Sequence, residues 1–175
     1  LDESDLDFWC AADQQDKVVD IILEQGWFIV GGRSCKSNWG ESYVLRFRKA
    51  GVNPVFELWI GDLRADALIY CSGKDIINNV ITKGDLLLLT DEFLLNILVL
   101  RPMLKRRSME KYIGRVSHIR VSDEQLRNWI ENIAHKFGKK ISENCNKALN
   151  REFNKLGSYC IFLLVLNQYS FSGII

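Results

Sequence analysis

The sequence predicts an α+β protein that has a small mixed β-sheet flanked by helices and a helical C-terminal extension. Strand patterns occupy the first part of the chain, where short apolar or alternating stretches are separated by turns rich in Gly and Asn. From Ser72 onward, apolar residues recur at helical spacing. This change of period along the chain, from two residues to about 3.6, is typical of strands followed by helices.

The strand-rich part contains four predicted strands and one helix. The opening "LDESDLDFWC" predicts a strand, and "DQQDKVVDIILEQG" predicts a helix that ends at Gly26. Next, "WFIVGGRSC" predicts a short strand that runs into a Gly-Gly turn. Alternation on both sides of "AGVN" predicts a β-hairpin of residues 42–49 and 54–60.

The helical part begins near Ser72. Thr90 and Ser122 are expected to cap two of its helices, because Asp-Glu follows each in the first turn. Pro102 is expected to kink or end its helix near Leu100. The predicted helices cover residues 73–82, 91–105, 108–118, 122–137 and 139–155.

The composition of the chain limits the classes of protein to which it can belong. The chain has 175 residues, of which 47% are hydrophobic and 26% charged, as in an ordinary globular domain. Its five cysteines form no CxxC pair, so they predict reduced thiols in a cytoplasmic protein and no zinc cluster. The two histidines, His118 and His135, lie on opposite sides of a helix junction and are assigned no role.

Charge is distributed unevenly, with an acidic excess before residue 100 and a basic excess in residues 101–155. Basic stretches such as "RPMLKRRSMEKY" could form a nucleic-acid face, or they could be a solvated helical surface or a linker toward another domain. Aromatic residues are sparse there and no nucleic-acid-binding motif occurs. We therefore expect no nucleic-acid partner.

The apolar end of the chain, "YCIFLLVLNQYSFSGII", is interrupted by polar residues and is too short to predict a membrane span. We expect the segment after Gly157 to be a helix whose packing partner lies beyond the end of this sequence.

The candidate functional residues of this sequence are carboxylates. Asp5 and Asp7 lie two residues apart in the opening strand, so their side chains point to the same side of the sheet. A divalent cation, a basic partner or solvent must compensate two such charges. Glu57 is the only charge inside the apolar strand "PVFELWI" and is the candidate third carboxylate, with Asp62 as the alternative. Glu57 could instead form an ion pair across the hairpin with Arg46 or Arg48.

These residues resemble a known family. The strand "ESDLDFWC", the helix after it and a hairpin whose second strand is acidic are similar to the nucleotidyltransferase fold of the DNA polymerase beta superfamily. The stretches "FELWIGDLRADALIY", "TDEFLLNILVLRPML" and "RRSMEKYIGRVSHI" resemble bacterial nucleotidyltransferase-like proteins. Those proteins are often encoded with surface-polysaccharide genes, and some are fused to a thymidylate-kinase-like domain.

The resemblance implies metal-dependent nucleotidyl transfer from an NTP. It implies that Asp5, Asp7 and Glu57 ligate Mg²⁺ and that Ser4 and Arg64 lie beside the nucleotide. Arg64 could alternatively be a solvated turn residue. Among the tryptophans, Trp39 in "KSNWGES" is the candidate for stacking on a base, and the others are expected in the core.

One departure from the family divides the functional hypotheses. Active members of the superfamily have a Gly-Ser pair shortly before the Asp-x-Asp strand, whereas only Leu1-Asp2-Glu3 precede Ser4. We expect a truncated nucleotidyltransferase-like domain over residues 1–120 and a helical extension or linker over residues 121–175. The retained Asp-x-Asp favours an enzyme. The missing Gly-Ser pair favours a non-catalytic binding module, associated with a kinase or polysaccharide-assembly protein.

Overall fold

The computed structural model describes residues 6–37, 40–65, 68–105, 107, 109–150 and 152. The chain forms two compact units, Leu1–Gly73 and Lys74–Ile175. The first unit contains a mixed sheet with a helix, and the second contains a small hairpin followed by helices. The predicted α+β class is confirmed. The division at residue 120 stays a prediction.

A four-stranded sheet organises the first unit. It consists of β1 (Leu6–Cys10), β2 (Phe28–Ser37), β3 (Gly40–Arg48) and β4 (Phe56–Ile60), in the spatial order β1-β4-β3-β2. Strands β3 and β4 pair antiparallel as the predicted hairpin, whereas β1 pairs parallel with β4. The carboxylate-bearing opening strand therefore lies directly beside the strand that carries Glu57.

Helix α1 (Gln15–Glu24) covers one face of this sheet and ends as predicted, because Gly26 adopts a positive φ of 80°. Along β4 the side chains alternate, so Leu58 and Ile60 point toward the core while Glu57 and Trp59 point away. The core cluster consists of Cys10, Ile22, Phe47, Leu58 and Ile60.

Strand β2 differs from the prediction, because the Gly-Gly pair does not form a turn. The strand continues to Ser37, and its pairing with β3 shifts by one residue between Ile29 and Gly31. Such a bulge accommodates an extra residue within an otherwise continuous ladder. Gly32 suits this place because a Cβ there would lie 3.0 Å from Leu45 Cδ2 and 3.3 Å from the Val44 carbonyl oxygen.

Two short strands, β5 (Leu63–Ala65) and β6 (Leu68–Cys71), form a second hairpin of the first unit, which the sequence pattern does not predict. Helix α2 (Gly73–Ile77) follows. The Asp62 carboxylate accepts a hydrogen bond from the Gly73 amide at 2.9 Å. Asp62 therefore supports the backbone turn that begins this helix.

The second unit begins differently from the prediction of a helix over residues 73–82. Helix α2 stops at Ile77, and β7 (Val80–Lys83) pairs antiparallel with β8 (Leu86–Leu89). The physical reason is local, since three of the four residues of β7 are β-branched and Gly84 has a φ of 62° in the two-residue turn.

Helices α3 (Asp91–Leu95), α4 (Arg101–Leu104), α5 (Glu110–Val116), α6 (Asp123–Phe137) and α7 (Lys139–Leu149) complete the second unit. The predicted caps are confirmed, since Thr90 accepts from the Phe93 amide and Ser122 from the Gln125 amide. Pro102 does not end its helix near Leu100. A π-helical turn over Asn96–Leu100 joins α3 to α4 instead, and it accommodates the missing proline amide.

No helix in the described part of the chain is long and apolar enough to cross a membrane. The segment after Gly157, predicted to be helical, lies outside the described residues.

Candidate metal and nucleotide site

Asp7 and Glu57 occupy equivalent positions on two neighbouring parallel strands. The register pairs Asp7 with Glu57 and, one residue later, Phe8 with Leu58. Because paired residues point to the same face of a sheet, both carboxylates lie on one face. That face is opposite to Leu58 and the core beneath α1. The strands thus bring together two of the three carboxylates that the sequence analysis selected.

Glu57 is buried and ion-paired. Only 7% of the residue is exposed. Its Oε1 atom lies 2.6 Å from Arg46 Nε and 2.5 Å from Arg46 Nη2. Arg46 and Glu57 are also register partners across β3 and β4. Of the two arginines considered from the sequence, Arg46 is therefore the partner, and this pair stabilises the charge that burial would otherwise disfavour.

Asp7 is exposed but held in place. Its Oδ1 atom accepts a hydrogen bond from Trp59 Nε1 at 3.0 Å. Trp59 lies two residues after Glu57 and hence on the same face of β4. The bond fixes one carboxylate oxygen of Asp7 next to the Glu57 strand.

Four register positions form a row across the sheet, which we call the carboxylate row: Asp7 of β1, Glu57 of β4, Arg46 of β3 and Gly31 of β2. The row changes from acidic to basic and ends at a residue without a side chain. A Cβ atom added to Gly31 would meet no atom of the described residues within 4 Å. Space is therefore open at the end of the row beside Arg46.

The tryptophans of β1 and β4 differ from the expected core positions. Trp9 and Trp59 are register partners on the face of the carboxylate row. Each indole N–H makes a polar contact, Trp59 to Asp7 and Trp9 to the Gly61 carbonyl oxygen at 2.7 Å. The two indoles are thus half-buried supports of the site. Their position two residues beyond an acidic residue, on the same side of a strand, is the sequence signal that would have indicated this role.

Asp62, the alternative third carboxylate, lies just beyond β4 and outside the carboxylate row. One of its oxygens accepts the Gly73 amide described above. Glu57, and not Asp62, shares a register with Asp7. The geometry therefore favours Glu57 of the two candidates, while its role as a metal ligand stays a prediction.

Four other residues were predicted from the sequence to be candidates for the site: Ser4, Asp5, Trp39 and Arg64. Ser4, Asp5 and Trp39 lie outside the described residues. Arg64 is in β5 and only 5% exposed, so the interpretation as a solvated turn residue is wrong. Its contact with a nucleotide stays a prediction.

Burial limits the reactivity of the cysteine thiols among the described residues. Cys10, Cys71 and Cys145 are buried, and none of the three forms a disulfide. Burial raises the pKa of the Cys10 thiol, with a further contribution from the Asp13 carboxylate, and burial also raises the pKa of Cys145. Both thiols stay protonated at neutral pH and are poor nucleophiles.

Within the described residues, no group of three or more His, Cys, Asp and Glu side chains is arranged to hold a metal ion. Asp7 and Glu57 nevertheless provide oxygen donors of the kind that Mg²⁺ prefers. Asp5 precedes Asp7 by two residues and belongs to the undescribed start of the chain.

No family model, curated protein or solved structure matches this chain.

Proposed function

We propose that this chain is a nucleotidyltransferase-like domain that binds an NTP with Mg²⁺ at the carboxylate row and transfers its nucleotidyl group. The observation that carries the proposal is the register of Asp7 with Glu57 on adjacent parallel strands, on the face away from the core. A parallel pair places the two carboxylates side by side on a rigid part of the fold. Rigid placement is what a transferase requires, because positioning supplies most of the catalysis in this chemistry.

The carboxylates provide part of the ligand set that a hard cation such as Mg²⁺ requires. Asp7 and Glu57 contribute carboxylate oxygens, and Asp5 would add a third carboxylate from the same strand face. Bound Mg²⁺ would supply charge neutralisation at the phosphates. Asp7 holds its own orientation through Trp59, and Glu57 holds its position through burial in the strand.

The proposal includes a cytoplasmic location and an NTP as the small-molecule partner. Support for the location comes from Cys10 and Cys145, which are buried and form no disulfide, since oxidising compartments favour disulfides.

A thermal melt with and without Mg²⁺ and a panel of NTPs tests the binding half of the proposal. A ligand that binds the folded protein raises its free energy of unfolding by about 2.7 kcal/mol at a hundredfold excess over Kd. We expect the wild-type midpoint to rise with Mg²⁺ plus at least one NTP, and Asp7→Asn to abolish the rise. Asp20→Asn is the matched control, because Asp20 is an exposed aspartate of α1, away from the carboxylate row. A wild-type midpoint that moves with no combination of Mg²⁺, Mn²⁺ and nucleotide would refute the proposal.

A second candidate is a non-catalytic binding module that serves a kinase-like or polysaccharide-assembly partner. The specific observation in its favour is the Arg46–Glu57 ion pair, which already neutralises one of the carboxylates. An assay of pyrophosphate release with candidate acceptors distinguishes the enzyme from the binding module. Nucleotide binding without turnover, over the acceptors tested, favours the module, whereas release that Asp7→Asn abolishes supports the enzyme.

A further inference from the structure

The hairpin of β7 and β8 leaves large apolar side chains open to solvent. Strand β8 consists of four leucines, of which Leu86, Leu87 and Leu88 are 59%, 70% and 38% exposed. Ile81, which pairs with Leu88 across the hairpin, is exposed as well. Single apolar residues on a surface are ordinary, whereas a contiguous group of this kind indicates a contact surface.

The exposed side chains lie on both faces of the hairpin. Leu86 and Leu88 point to one face together with Ile81, whereas Leu87 points to the other. A partner that lay flat against the hairpin would cover one face and leave the other in water. A strand added at the edge of β8 gives leucines on both faces cross-strand neighbours, so the pattern of exposure favours addition at this edge.

The outer edge of β8 has backbone groups for such an addition. In the part of the chain that the structure describes, β8 pairs only with β7. Lys83 and Leu86 close the two-residue turn, where the paired strands are joined by hydrogen bonds. Because hydrogen-bonded and non-bonded pairs alternate along an antiparallel ladder, the N–H and C=O groups of Leu87 and Leu89 point outward.

The same edge lacks the features that normally prevent strand addition. A charged side chain or a proline within an outer strand opposes it, and β1 has such a charge in Asp7. Strand β8 contains neither. A two-stranded sheet is also marginally stable by itself, and further strands stabilise it. Both properties favour a partner strand at β8.

We propose that β8 is a self-association edge, on which β8 of a second copy of this chain adds antiparallel to form a four-stranded sheet. A twofold axis at Leu87 pairs the two Leu87 residues with each other and pairs Leu86 of each copy with Leu88 of the other. This register uses the outward backbone groups of Leu87 and places leucines opposite leucines on each face. The assembly closes at two copies, because both β8 edges are then paired.

The charges and the area of this edge are consistent with a weak dimer. Asp85, just before β8, lies opposite Leu89 of the second copy, so the two Asp85 carboxylates are at opposite ends of the paired strands and do not repel each other. Four residues from each copy bury less than the roughly 800 Å² per partner of a stable interface. We therefore expect a transient dimer that forms at high protein concentration.

Insertion into a lipid surface is an alternative use of exposed leucines on a hairpin. The tip of this hairpin carries Lys83 and Asp85, so a carboxylate would have to enter the apolar layer first. The charges at the tip therefore favour a second copy over a membrane.

Sedimentation velocity of the whole chain from about 10 µM to about 1 mM tests the dimer, since small interfaces give weak association. We expect wild type to shift from monomer toward dimer over this range. Leu87→Lys should weaken association at least about tenfold, because it places two like charges side by side at the axis. Leu87 is largely exposed in the monomer, so the fold should persist. Leu23→Lys is the matched control, an exposed leucine of α1 whose replacement should leave association unchanged.

Leu87→Cys tests the register without adding a charge. Paired Cα atoms at a hydrogen-bonded position lie about 5.5 Å apart, within the range that a disulfide bridges. We expect a covalent dimer under mild oxidation, above the background that the five native cysteines give in wild type. Leu86→Cys is the control, because its counterpart is two positions out of register, about 7–8 Å away, and should not cross-link.

Three results would overturn the proposed pairing. They are a wild type that stays monomeric at the highest concentration, Leu87→Lys that associates as wild type does, and equal cross-linking through Leu86→Cys and Leu87→Cys. Flotation with phosphatidylcholine–phosphatidylserine vesicles addresses the lipid alternative. Vesicle binding by a monomeric wild type that Leu87→Lys abolishes would assign the hairpin to a membrane surface instead. None of these measurements involves Mg²⁺ or an NTP, so their outcome is independent of the proposed function.

Discussion

Trp59 of β4 donates its indole N–H to Asp7 of β1 at 3.0 Å, two positions out of register with it. This diagonal bond joins the two parallel strands through their side chains as well as through their backbones. It also connects a large aromatic residue to the most exposed member of the carboxylate row. The orientation of Asp7 therefore depends on a residue that has no carboxylate of its own.

Trp59→Phe should weaken both the fold and the site. It removes the hydrogen bond to Asp7, whose loss costs about 0.5–1.5 kcal/mol in the free energy of unfolding. It also frees Asp7 to rotate, so the rise in melting temperature with Mg²⁺ and NTP should shrink. Denaturant unfolding and thermal melts measure the two effects. Trp27→Phe is the control, because Trp27 packs beside the core cluster; an equal loss of ligand response in that variant would contradict the role given to Trp59.

Arg46→Met should destabilise the metal-free protein, because it leaves the buried Glu57 carboxylate without its partner. Removal of one partner from a fully buried pair costs about 3–5 kcal/mol, and an exposed pair contributes about 0.2–1 kcal/mol. Since Arg46 is partly exposed, we expect about 1–3 kcal/mol by denaturant unfolding.

Glu57→Gln combined with Arg46→Met completes a double-mutant cycle for this pair. Removing both charges should recover most of the lost stability, because no unpaired charge is then buried. Additive losses in the double mutant would mean that the ion pair does not stabilise Glu57.

Ser122→Ala should destabilise the second unit by about 1 kcal/mol, because Ser122 caps α6. Its side chain accepts from the Gln125 amide while the Gln125 side chain accepts from the Ser122 amide, a reciprocal capping box. Ser122→Asp retains an acceptor at the cap and should retain most of the stability. Equal losses in the two variants would exclude capping as the cause. Circular dichroism during urea unfolding measures both.

The buried thiol of Cys145 should make stability fall in alkaline solution. Burial raises its pKa above the ordinary value of 9.0, so the unfolded chain loses this proton at lower pH than the folded chain does. Its contribution to stability is complete below pH 9.0 and is lost as the pH rises above that value. Cys145→Ala should flatten the decline between pH 9 and 11 in denaturant unfolding relative to wild type. An unchanged slope would assign the decline to other groups.

Local patterns in the sequence predicted the elements whose contacts are close along the chain. Helix α1 and the β3–β4 hairpin follow from spacing and turn residues that lie next to each other. The β7–β8 hairpin was missed because the predicted helix over residues 73–82 covered the start of β7, and the four leucines of β8, Leu86–Leu89, do not alternate with polar residues. Its stronger signal was the Gly84 turn.

The types of residue in the candidate site could be predicted from the sequence, whereas the contacts between these residues could not. Asp7 and Glu57 could be selected as carboxylates within strands. The choice between Arg46 and Arg48 as the partner of Glu57 required the register across the hairpin, which depends on how many residues the turn uses. The bulge that places Gly31 beside Arg46 likewise has no local signature beyond the two glycines.

Strand β1 is one of the two outer strands of the four-stranded sheet in the described part of the chain, and apolar side chains on it remain open to solvent, with Leu6 46% and Phe8 50% exposed. An outer strand of this kind is a template on which a second chain can add another strand. Asp7 lies between these two residues, and a charge within such a strand opposes the stacking of identical chains. The same carboxylate would then protect the protein against aggregation. At high protein concentration Asp7→Asn should therefore form β-rich aggregates sooner than Asp20→Asn, which a light-scattering time course would detect.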